Sequence, residues 1–558
     1  MSFLSAPSRR HGRRTFLKNS LSATAAAYAG VSLGFFQFPS VAQARAKRSL
    51  HADPSPMRSL SGSFSSSTFN GDEYRRPHDI LWHLDTYVAS KGGWPTEVSE
   101  TRDVVIIGGG LSGLMTAHYL RGRDWTLLEQ ATQFGGNSKS EVFNGARFSL
   151  GPAYITVPEA GSLEESFLTE MGLSSGARHE KPEETRILFG GLRNLWAGET
   201  DPQAKESAAR IEKALREVNT SKFPDVPWVE GADLSRDEMR DLDRQSAEDW
   251  LNAQGTLHPH VWEYFQLYAW SAFGGSLEEL SAAQFLNFAA PEVDGVLAFP
   301  GGNGAIAQAL YDTIESTSPG RLRANTLVLD VREKNGRVET LIESPDGNLQ
   351  LISSASAIVA APKYVARHLL RNVLDADRAR LWDSLNYRAY MVANVLLSSD
   401  VASPAFDIFC LRGQVPDAPS FGRRSDRNCT DLVFADWAQE DNSSTSILTL
   451  YRPYPLDGAR NFLMAPQLHD RMKTEFATEL KSWLPQLGIP ESAIGEMRLT
   501  LWGHSCPLAK KGLFADGSLE QIGAPLGSRI FFANQDDAMN PSFESCLASA
   551  YRVAGVVP

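Results

Sequence analysis

The pattern of apolar and polar positions predicts a strand, a helix and a second strand near residue 100. Residues 103–107 form a short apolar run typical of a buried parallel strand. Apolar residues at helical spacing follow over residues 114–120, and a second apolar run occupies residues 125–128. This order predicts a βαβ unit, in which the two strands are parallel.

Later regions of the chain have other patterns. Helical spacing dominates from about residue 160 to residue 290. Runs at residues 325–331, 337–342 and 357–361 alternate with an Asn-Gly and an Asp-Gly turn, which predicts a β-meander. Three more strands and a helix are predicted at residues 390–397, 431–437, 446–451 and 468–484.

The turn after the first strand carries three glycines with the spacing G-x-G-x-x-G. Gly108 permits a tight turn, Gly110 lets backbone approach a pyrophosphate, and Gly113 lets the helix pack closely on the strand. The helix N-terminus favours the phosphate charge. Glu129 ends the second strand, about 20 residues beyond the first glycine, where a carboxylate can accept the ribose hydroxyls. The sequence therefore predicts a dinucleotide site.

A further glycine pair, Gly135 and Gly136, follows Glu129. An NAD-binding domain needs no second glycine turn there, whereas a flavoprotein does, because its chain passes the pyrophosphate again. With the first glycine turn and the acid-ended strand, this pattern resembles the flavin-containing amine oxidase family. The resemblance implies an FAD-dependent oxidoreductase, although Asn137 stands where the family usually has Arg.

Residues 528–552 resemble the final strand and helix of that family. There an acidic residue beyond the strand meets the flavin ribityl chain, and Asp536 is the matching acid, with Asp537 as the alternative. The backbone around Val328 matches an adenine contact. The cofactor-binding residues implied by the motif and the resemblance are Gly108, Gly110, Ser112, Gly113, Glu129, Gly135, Gly136, Asn137, Val328 and Asp536.

The resemblance also implies the fold. We expect an α/β protein in which a Rossmann-type FAD-binding domain is interleaved with an α+β substrate domain. The FAD-binding domain is predicted at residues 101–160, 296–372 and 523–558, and the substrate domain at residues 161–295 and 373–522. A leader or linker is predicted at residues 45–100, mobile to about residue 67 because it is rich in Ser, Pro and Gly.

Three residues are candidates for catalysis. Lys363 follows an Ala-x-Pro strand end, near the point where related enzymes hold a water with a lysine. Trp502 and His504 form a Trp-x-His pattern. Together with the glycine turn near residue 301 and the Asn-x-Asp at residues 534–536, it looks more like spermidine dehydrogenase than the animal monoamine oxidases. Trp502 would form an aromatic wall, while His504 is either a base or a core histidine. Cys506 is a candidate for covalent flavin attachment, and any haem would be non-covalent because C-x-x-C-H is absent.

The N-terminal residues are typical of an export signal. Arg13 and Arg14 form a twin-arginine motif, a mildly apolar run follows, and Ala42 and Ala44 supply the small residues of a cleavage site that ends at residue 44. We expect residues 1–44 to be a signal peptide read by the Tat translocase, with the periplasm or the exterior as destination. An uncleaved membrane anchor is the alternative.

The net charge and the cysteine content of the chain limit the partners and ligands that we expect. The formal net charge of −12 argues against nucleic acid, and it suits either cationic substrates or simple solubility. Four cysteines without a C-x-x-C pair indicate no metal site. Cys410 and Cys429 are either a disulfide or two free thiols.

The sequence thus predicts an exported FAD enzyme that removes a hydride from an amine, polyamine-like or amino-acid-like, and yields an imine. The electron acceptor would be oxygen or a periplasmic carrier. Two alternatives stay open: a desaturase or oxidase of an apolar lipid or isoprenoid, and a non-catalytic flavin-binding protein. A wide apolar tunnel without acidic groups would favour the desaturase.

Overall fold

A computed structural model describes residues 53–65, 70–196, 201–412, 429–439, 445–454, 459–463 and 465–558. The twin-arginine motif and the predicted signal peptide lie outside the described residues. No helix in the described ranges is both long enough and apolar enough to cross a membrane.

The strands and helices are numbered here in chain order. The strands are β1 Met57–Ser59, β2 Glu100–Ile107, β3 Trp125–Leu128, β4 Ser140–Phe143, β5 Ala146–Ser149, β6 Tyr154–Thr156, β7 Arg178–Glu180, β8 Arg186–Leu188, β9 Leu192–Asn194, β10 Val296–Ala298, β11 Leu322–Arg323, β12 Leu327–Lys334, β13 Arg337–Glu343, β14 Leu349–Val359, β15 Tyr387–Leu397, β16 Asp407–Cys410, β17 Asp431–Phe434, β18 Ile447–Tyr454, β19 Ile494–Pro507 and β20 Ile530–Phe532. The helices are α1 Arg75–Leu81, α2 Leu84–Ser90, α3 Leu111–Tyr119, α4 Leu163–Glu170, α5 Pro202–Ser221, α6 Arg236–Asp243, α7 Ala247–Ala253, α8 Pro259–Phe273, α9 Ala282–Ala289, α10 Gly304–Thr317, α11 Lys363–Leu369, α12 Ala376–Asp383, α13 Arg460–Leu463, α14 His469–Trp483, α15 Ser518–Ile522 and α16 Phe543–Val556.

The first sheet contains the predicted βαβ unit. Its strand order is β11-β3-β2-β14-β13-β12, and β20 pairs with β14. β2 runs parallel to both β3 and β14, with Val104 beside Trp125 and Ile107 beside Val359. Both faces of these central strands are covered, so their apolar runs are continuous. The meander β12-β13-β14 is antiparallel as predicted, and the Rossmann-type fold is confirmed.

The second sheet has the order β19-β15-β18-β17-β16-β8-β9 and is mostly antiparallel. Its long strand β15, next to the edge strand β19, is buried almost throughout. Pairing between β15 and β19 is irregular: Arg388 faces Cys506 and Tyr390 faces Trp502. Residues 503–505 therefore lie opposite one residue of β15, which is a bulge that turns their side chains away from the regular alternation.

The prediction of a mobile leader is wrong for residues 53–65, the part of that segment that the structure describes. β1 pairs in parallel with β4, and the Phe64 side chain is fully buried between Phe143 and Phe148. Farther along, Gly71 forms a bridge with Leu501 of β19. Burial of one aromatic ring and pairing with two sheets outweigh the local Ser-rich composition.

Candidate functional site

One cavity of about 400 Å³ is lined by the glycine turn, by the twin glycine and by strands of the second sheet. We call it the main cavity. Its walls include Gly108, Gly110 and Glu129 on the side of the first sheet and Tyr390 and Trp502 on the side of the second sheet. The interleaved chain thus brings the predicted dinucleotide site and the second sheet to a shared space.

The glycines leave room for a ligand and for close packing. Gly108 has φ +109°, and a Cβ there would lie 3.0 Å from the amide nitrogen of Ala361. A Cβ on Gly136 would lie 3.0 Å from the Cα of Gly110, so the two glycine turns touch each other. Gly113 does not line the cavity: a Cβ there would lie 1.9 Å from the carbonyl oxygen of Gly108. Its role is to let α3 pack on β2, and the cradle fits a dinucleotide.

Glu129 is held at the rim by backbone amides. Gly109 N–H donates to Oε2 at 2.6 Å and Ala131 N–H donates to Oε1 at 2.7 Å. Burial raises the pKa of the Glu129 carboxyl, and these hydrogen bonds and Lys139 oppose that rise. The carboxylate lines the cavity, where ribose hydroxyls can donate to its remaining lone pairs.

Three other predicted cofactor residues also line the main cavity: Ser112, Asn137 and Val328. The Asn137 side chain donates from Nδ2 to the carbonyl oxygen of Ser505 at 3.3 Å, which ties the twin-glycine turn to β19. Val328 lies beside a register shift in β12, where the backbone departs from regular pairing. Their contact with a cofactor stays a prediction.

Two charged residues of this end were missed by sequence reasoning. Lys139 is 7% exposed and lines the cavity, close enough to Asp72 and Glu129 to affect both of their pKa values. Asp72 accepts a hydrogen bond from Gly503 N–H at 2.7 Å, and burial raises its pKa. The lysine two residues beyond Asn137 is a signal that was present in the sequence. Asp72 carries no motif.

We predict that Lys139 supplies the positive charge absent at Asn137. Lys139→Met should weaken FAD binding about tenfold, since a hydrogen bond to a charged group contributes about 1.5–3 kcal/mol. Titration of apoprotein with FAD, followed by flavin fluorescence, measures this. Lys139→Arg keeps the charge and should bind nearly normally, and Lys481→Met on the exposed surface is the matched control. Unchanged affinity in Lys139→Met would contradict the assignment.

Asp536 is placed differently from the predicted ribityl contact. It is fully buried and does not line the cavity, whereas its neighbours Asn534 and Gln535 do. Its Oδ2 accepts from the Tyr387 hydroxyl at 2.6 Å and from Lys363 N–H at 2.8 Å. Oδ1 has no hydrogen-bond partner among the described residues. The short helical turn Gln535–Asp537 directs this carboxylate beneath the cavity wall.

Lys363 is also buried away from the cavity. Its side chain is 0% exposed, and Nζ forms an ion pair with Asp537 Oδ1 at 2.5 Å. The ammonium lies 4.7 Å from the centre of the Phe532 ring. The catalytic assignment of Lys363 is therefore corrected: the residue joins α11 to the turn before α16.

Trp502 and His504 lie on the same strand, β19, but only Trp502 lines the main cavity. Trp502 lines the main cavity and donates from Nε1 to the carbonyl oxygen of Leu150 at 2.7 Å. His504 does not line it; its ring stacks on Tyr364 with centroids 4.1 Å apart. Burial, together with the nearby Arg460 and His78, lowers the pKa of His504 to about 3. The structure favours a packed, neutral histidine over a base.

The cysteines are free thiols. Cys410 and Cys429 are both buried, and the disulfide alternative is not formed. Cys506 lines the main cavity, and burial raises the pKa of its thiol to about 11. Covalent attachment at Cys506 stays a prediction. Across the described ranges, no group of three or more His, Cys, Asp and Glu side chains could hold a metal ion.

The opposite end of the main cavity is acidic. Asp407 on β16 and Asp431 on β17 both line it, together with Tyr390, Tyr451 and Ser271. Burial raises the pKa of Asp431 to about 7 and that of Asp407 well above its usual value, and the charge of Asp431 adds to the rise at Asp407. Sequence reasoning missed this pair because each aspartate is a lone acid beside an apolar strand.

Comparisons of the sequence and of the fold with known proteins agree with one another. A family model described as flavin containing amine oxidoreductase matches residues 111–558. Oxidoreductase PigB of Serratia sp. is 22% identical over 571 aligned positions, covering 91% of this chain and 84% of that protein. Putrescine oxidase of Kocuria rosea is 27% identical over 165 residues, only 28% of this chain and 32% of that protein. The solved structure of cyclohexylamine oxidase from Brevibacterium oxydans shares the fold, with a TM-score of 0.59 at 16% identity over 81% of this chain and 98% of that chain.

Proposed function

Because this chain belongs to the flavin containing amine oxidoreductase family, we propose that it oxidises a small-molecule amine to an imine. The family, the class of FAD-dependent oxidoreductase and FAD as cofactor were predicted from the sequence and are confirmed. The observation that carries the substrate proposal is the aspartate pair, Asp407 and Asp431, in the cavity that also holds the glycine turns.

Bound FAD supplies the acceptor for the hydride that leaves the substrate carbon. Its phosphates would meet the backbone of Gly110 and Gly136 and the N-terminus of α3, and its ribose would meet Glu129. These residues bind and orient, while the chemistry of the substrate depends on the other end of the cavity.

The aspartate pair suits an amine that arrives as a cation. Oxidation requires the neutral amine, so an ammonium substrate must first give up a proton. Asp431 ionises near neutral pH, at a pKa of about 7, and its carboxylate can accept that proton. Tyr390, Tyr451 and Trp502 surround the site with aromatic rings that exclude water.

The charged residues that line the main cavity favour one of the candidate substrates over the others. Among the described residues that line it, Lys139 is the single cation, and it lies by the glycine turn. An amino-acid substrate would need a cation for its carboxylate near the aspartates, and an isoprenoid would leave two carboxyls facing hydrocarbon. We therefore favour an amine without a carboxylate over an amino acid, and over the lipid or isoprenoid substrate of a desaturase.

Anaerobic titration of the purified protein with amines tests the proposal. We expect flavin absorbance to bleach with putrescine, spermidine or cyclohexylamine and to recover on admitting air or an artificial acceptor. Hydrogen peroxide production then distinguishes oxygen from a carrier as the natural acceptor. Flavin that dithionite bleaches but that stays yellow with every amine would exclude the proposed activity.

We predict that Asp431→Asn lowers kcat/KM for an amine about tenfold at neutral pH, a loss of about 1.4 kcal/mol. Only the ionised carboxylate accepts a proton, so activity in the wild type should rise as the pH rises through about 7. The aspartates titrate as a pair. In Asp431→Asn this rising limb should disappear, whereas the exposed control Asp470→Asn should keep it. An unchanged pH profile would contradict the role.

We also propose export through the Tat translocase to the periplasm or the exterior, on the strength of Arg13 and Arg14. This route carries folded proteins, which suits a protein that must acquire FAD before crossing. Replacing both arginines by lysine should leave the enzyme in the cytoplasmic fraction with its flavin bound. Unchanged fractionation would refute the proposal.

A further inference from the structure

Beside the main cavity lies a smaller chamber of about 50 Å³, which we call the side chamber. Asp407 and Tyr154 line both spaces, so Asp407 stands at their boundary, whereas Asp431 lines the main cavity alone. A volume of this size holds one or two water molecules or the end of a slender ligand. The side chamber therefore shares part of its wall, Asp407 and Tyr154, with the proposed substrate site.

Two more carboxyls line the side chamber. Glu180 at the end of β7 is 6% exposed, and it accepts a hydrogen bond from Asp407 N–H at 3.5 Å. Glu292 faces the phenols of Tyr154 and Tyr268, whose hydroxyls favour its ionised form. Within the described ranges, Glu180, Glu292 and Asp407 form no ion pair with Lys or Arg.

Polar groups in this chamber are left without partners. Asp407 is 9% exposed, and its Oδ1 has no hydrogen-bond partner among the described residues. The Tyr268 hydroxyl, on a side chain 2% exposed, faces Glu292 without completing a hydrogen bond of ordinary geometry. A buried oxygen without a partner is destabilising, and a donor inside the chamber would relieve it.

Aromatic rings form the rest of the wall. Tyr264 stacks on Tyr268 with centroids 6.2 Å apart, and Trp196 meets Tyr264 edge-on at 6.3 Å. Phe409 packs edge-on against Tyr264 at 5.0 Å. Electron-rich rings beside carboxyls attract an organic cation in preference to an anion or a neutral polar group.

We propose that the side chamber binds the distal ammonium of the substrate, so that the enzyme is specific for aliphatic di- or polyamines over monoamines. This inference rests on the proposed function and names its substrate class. The reacting nitrogen lies in the main cavity and the alkyl spacer passes Asp407. The ammonium donates to Asp407 Oδ1 and to the two glutamates.

The titration behaviour agrees with this occupant. Burial raises the pKa of Glu180 and of Glu292 to about 8, so both are largely protonated at neutral pH while the chamber holds no cation. An ammonium favours the ionised carboxylate, so its arrival displaces a proton from the chamber to solvent. A neutral alkyl end would instead leave polar groups facing hydrocarbon.

The first test compares substrates on the wild-type holoenzyme. We expect kcat/KM for putrescine to exceed that for pentylamine, a monoamine of similar length, by tenfold or more. Equal values, or a preference for pentylamine, would overturn the side chamber proposal while leaving amine oxidation intact. Flavin that no amine bleaches would instead refute the proposed function itself.

The second test uses Glu292→Gln and Glu180→Gln, each checked for flavin content and melting temperature. KM for putrescine should rise about tenfold in each variant, while the kinetics with pentylamine stay unchanged. Glu183→Gln, an exposed glutamate near Glu180 in sequence, is the matched control and should alter neither substrate. Equal losses with both amines would overturn the proposal, since they indicate a structural role. Potassium chloride that competes with putrescine and not with pentylamine would assign the chamber to an inorganic cation and likewise overturn it.

Discussion

Replacing Lys363 by methionine should lower the free energy of unfolding by about 3 kcal/mol, the lower end of the range for breaking a buried ion pair, because Asp537 keeps Arg552 as a partner. Lys363 is 0% exposed and pairs with Asp537, which also contacts Arg552. These three residues tie α11 to the turn and helix that close the first sheet. Chemical denaturation of the holoprotein measures the change.

A comparison with an exposed ion pair separates this structural role from catalysis. Lys334 pairs with Glu339 and has a side chain 55% exposed, so Lys334→Met should change stability by no more than about 1 kcal/mol. If Lys363 were catalytic, its replacement would reduce kcat at unchanged stability. That result would restore the role predicted from its position after the Ala-x-Pro strand end.

Gly113→Ala should weaken FAD retention at least a hundredfold, about 2.7 kcal/mol, near the upper end of the cost of overpacking. The added Cβ would lie 1.9 Å from the Gly108 carbonyl oxygen, so α3 must move away from β2. That movement would displace the glycine turn that faces the cofactor. Flavin content after gel filtration and titration of the apoprotein with FAD measure the loss.

Gly555 provides the control for this substitution. It lies in helix α16, and a Cβ there would meet nothing within 4 Å. Gly555→Ala should be neutral or stabilising by up to about 1 kcal/mol, since alanine favours the helix. Normal FAD binding by Gly113→Ala would mean that the close approach of α3 to β2 is not needed for the cofactor.

The cofactor end of the site was predictable because its physics is local. Gly108, Gly110 and Glu129 act through the backbone of one βαβ unit, so their spacing along the chain fixes their positions in space. The substrate end was not predictable in this way. Asp407, Asp431 and Glu292 come from separate elements, and no spacing rule links them.

Local pattern also left open the direction of side chains on irregular backbone. The Trp-x-His pattern allowed His504 to be either a base or a core histidine, and the bulge at residues 503–505 places its ring against Tyr364. Asp536 has the expected position along the chain, yet the turn at Gln535–Asp537 points its carboxylate at Tyr387. Short irregular segments of this kind are set by packing.

By itself, the sequence determined the cofactor fold, since apolar runs, glycine spacing and an acid-ended strand act over short distances along the chain. Only the tertiary structure decided which acids, aromatic rings and lysines share a cavity. Burial then made the difference, because it raises the pKa of Asp431 to about 7 and leaves Asp407 Oδ1 without a partner. The environment of a carboxyl depends on residues far away in the chain, and the sequence on either side of the carboxyl carries no information about them.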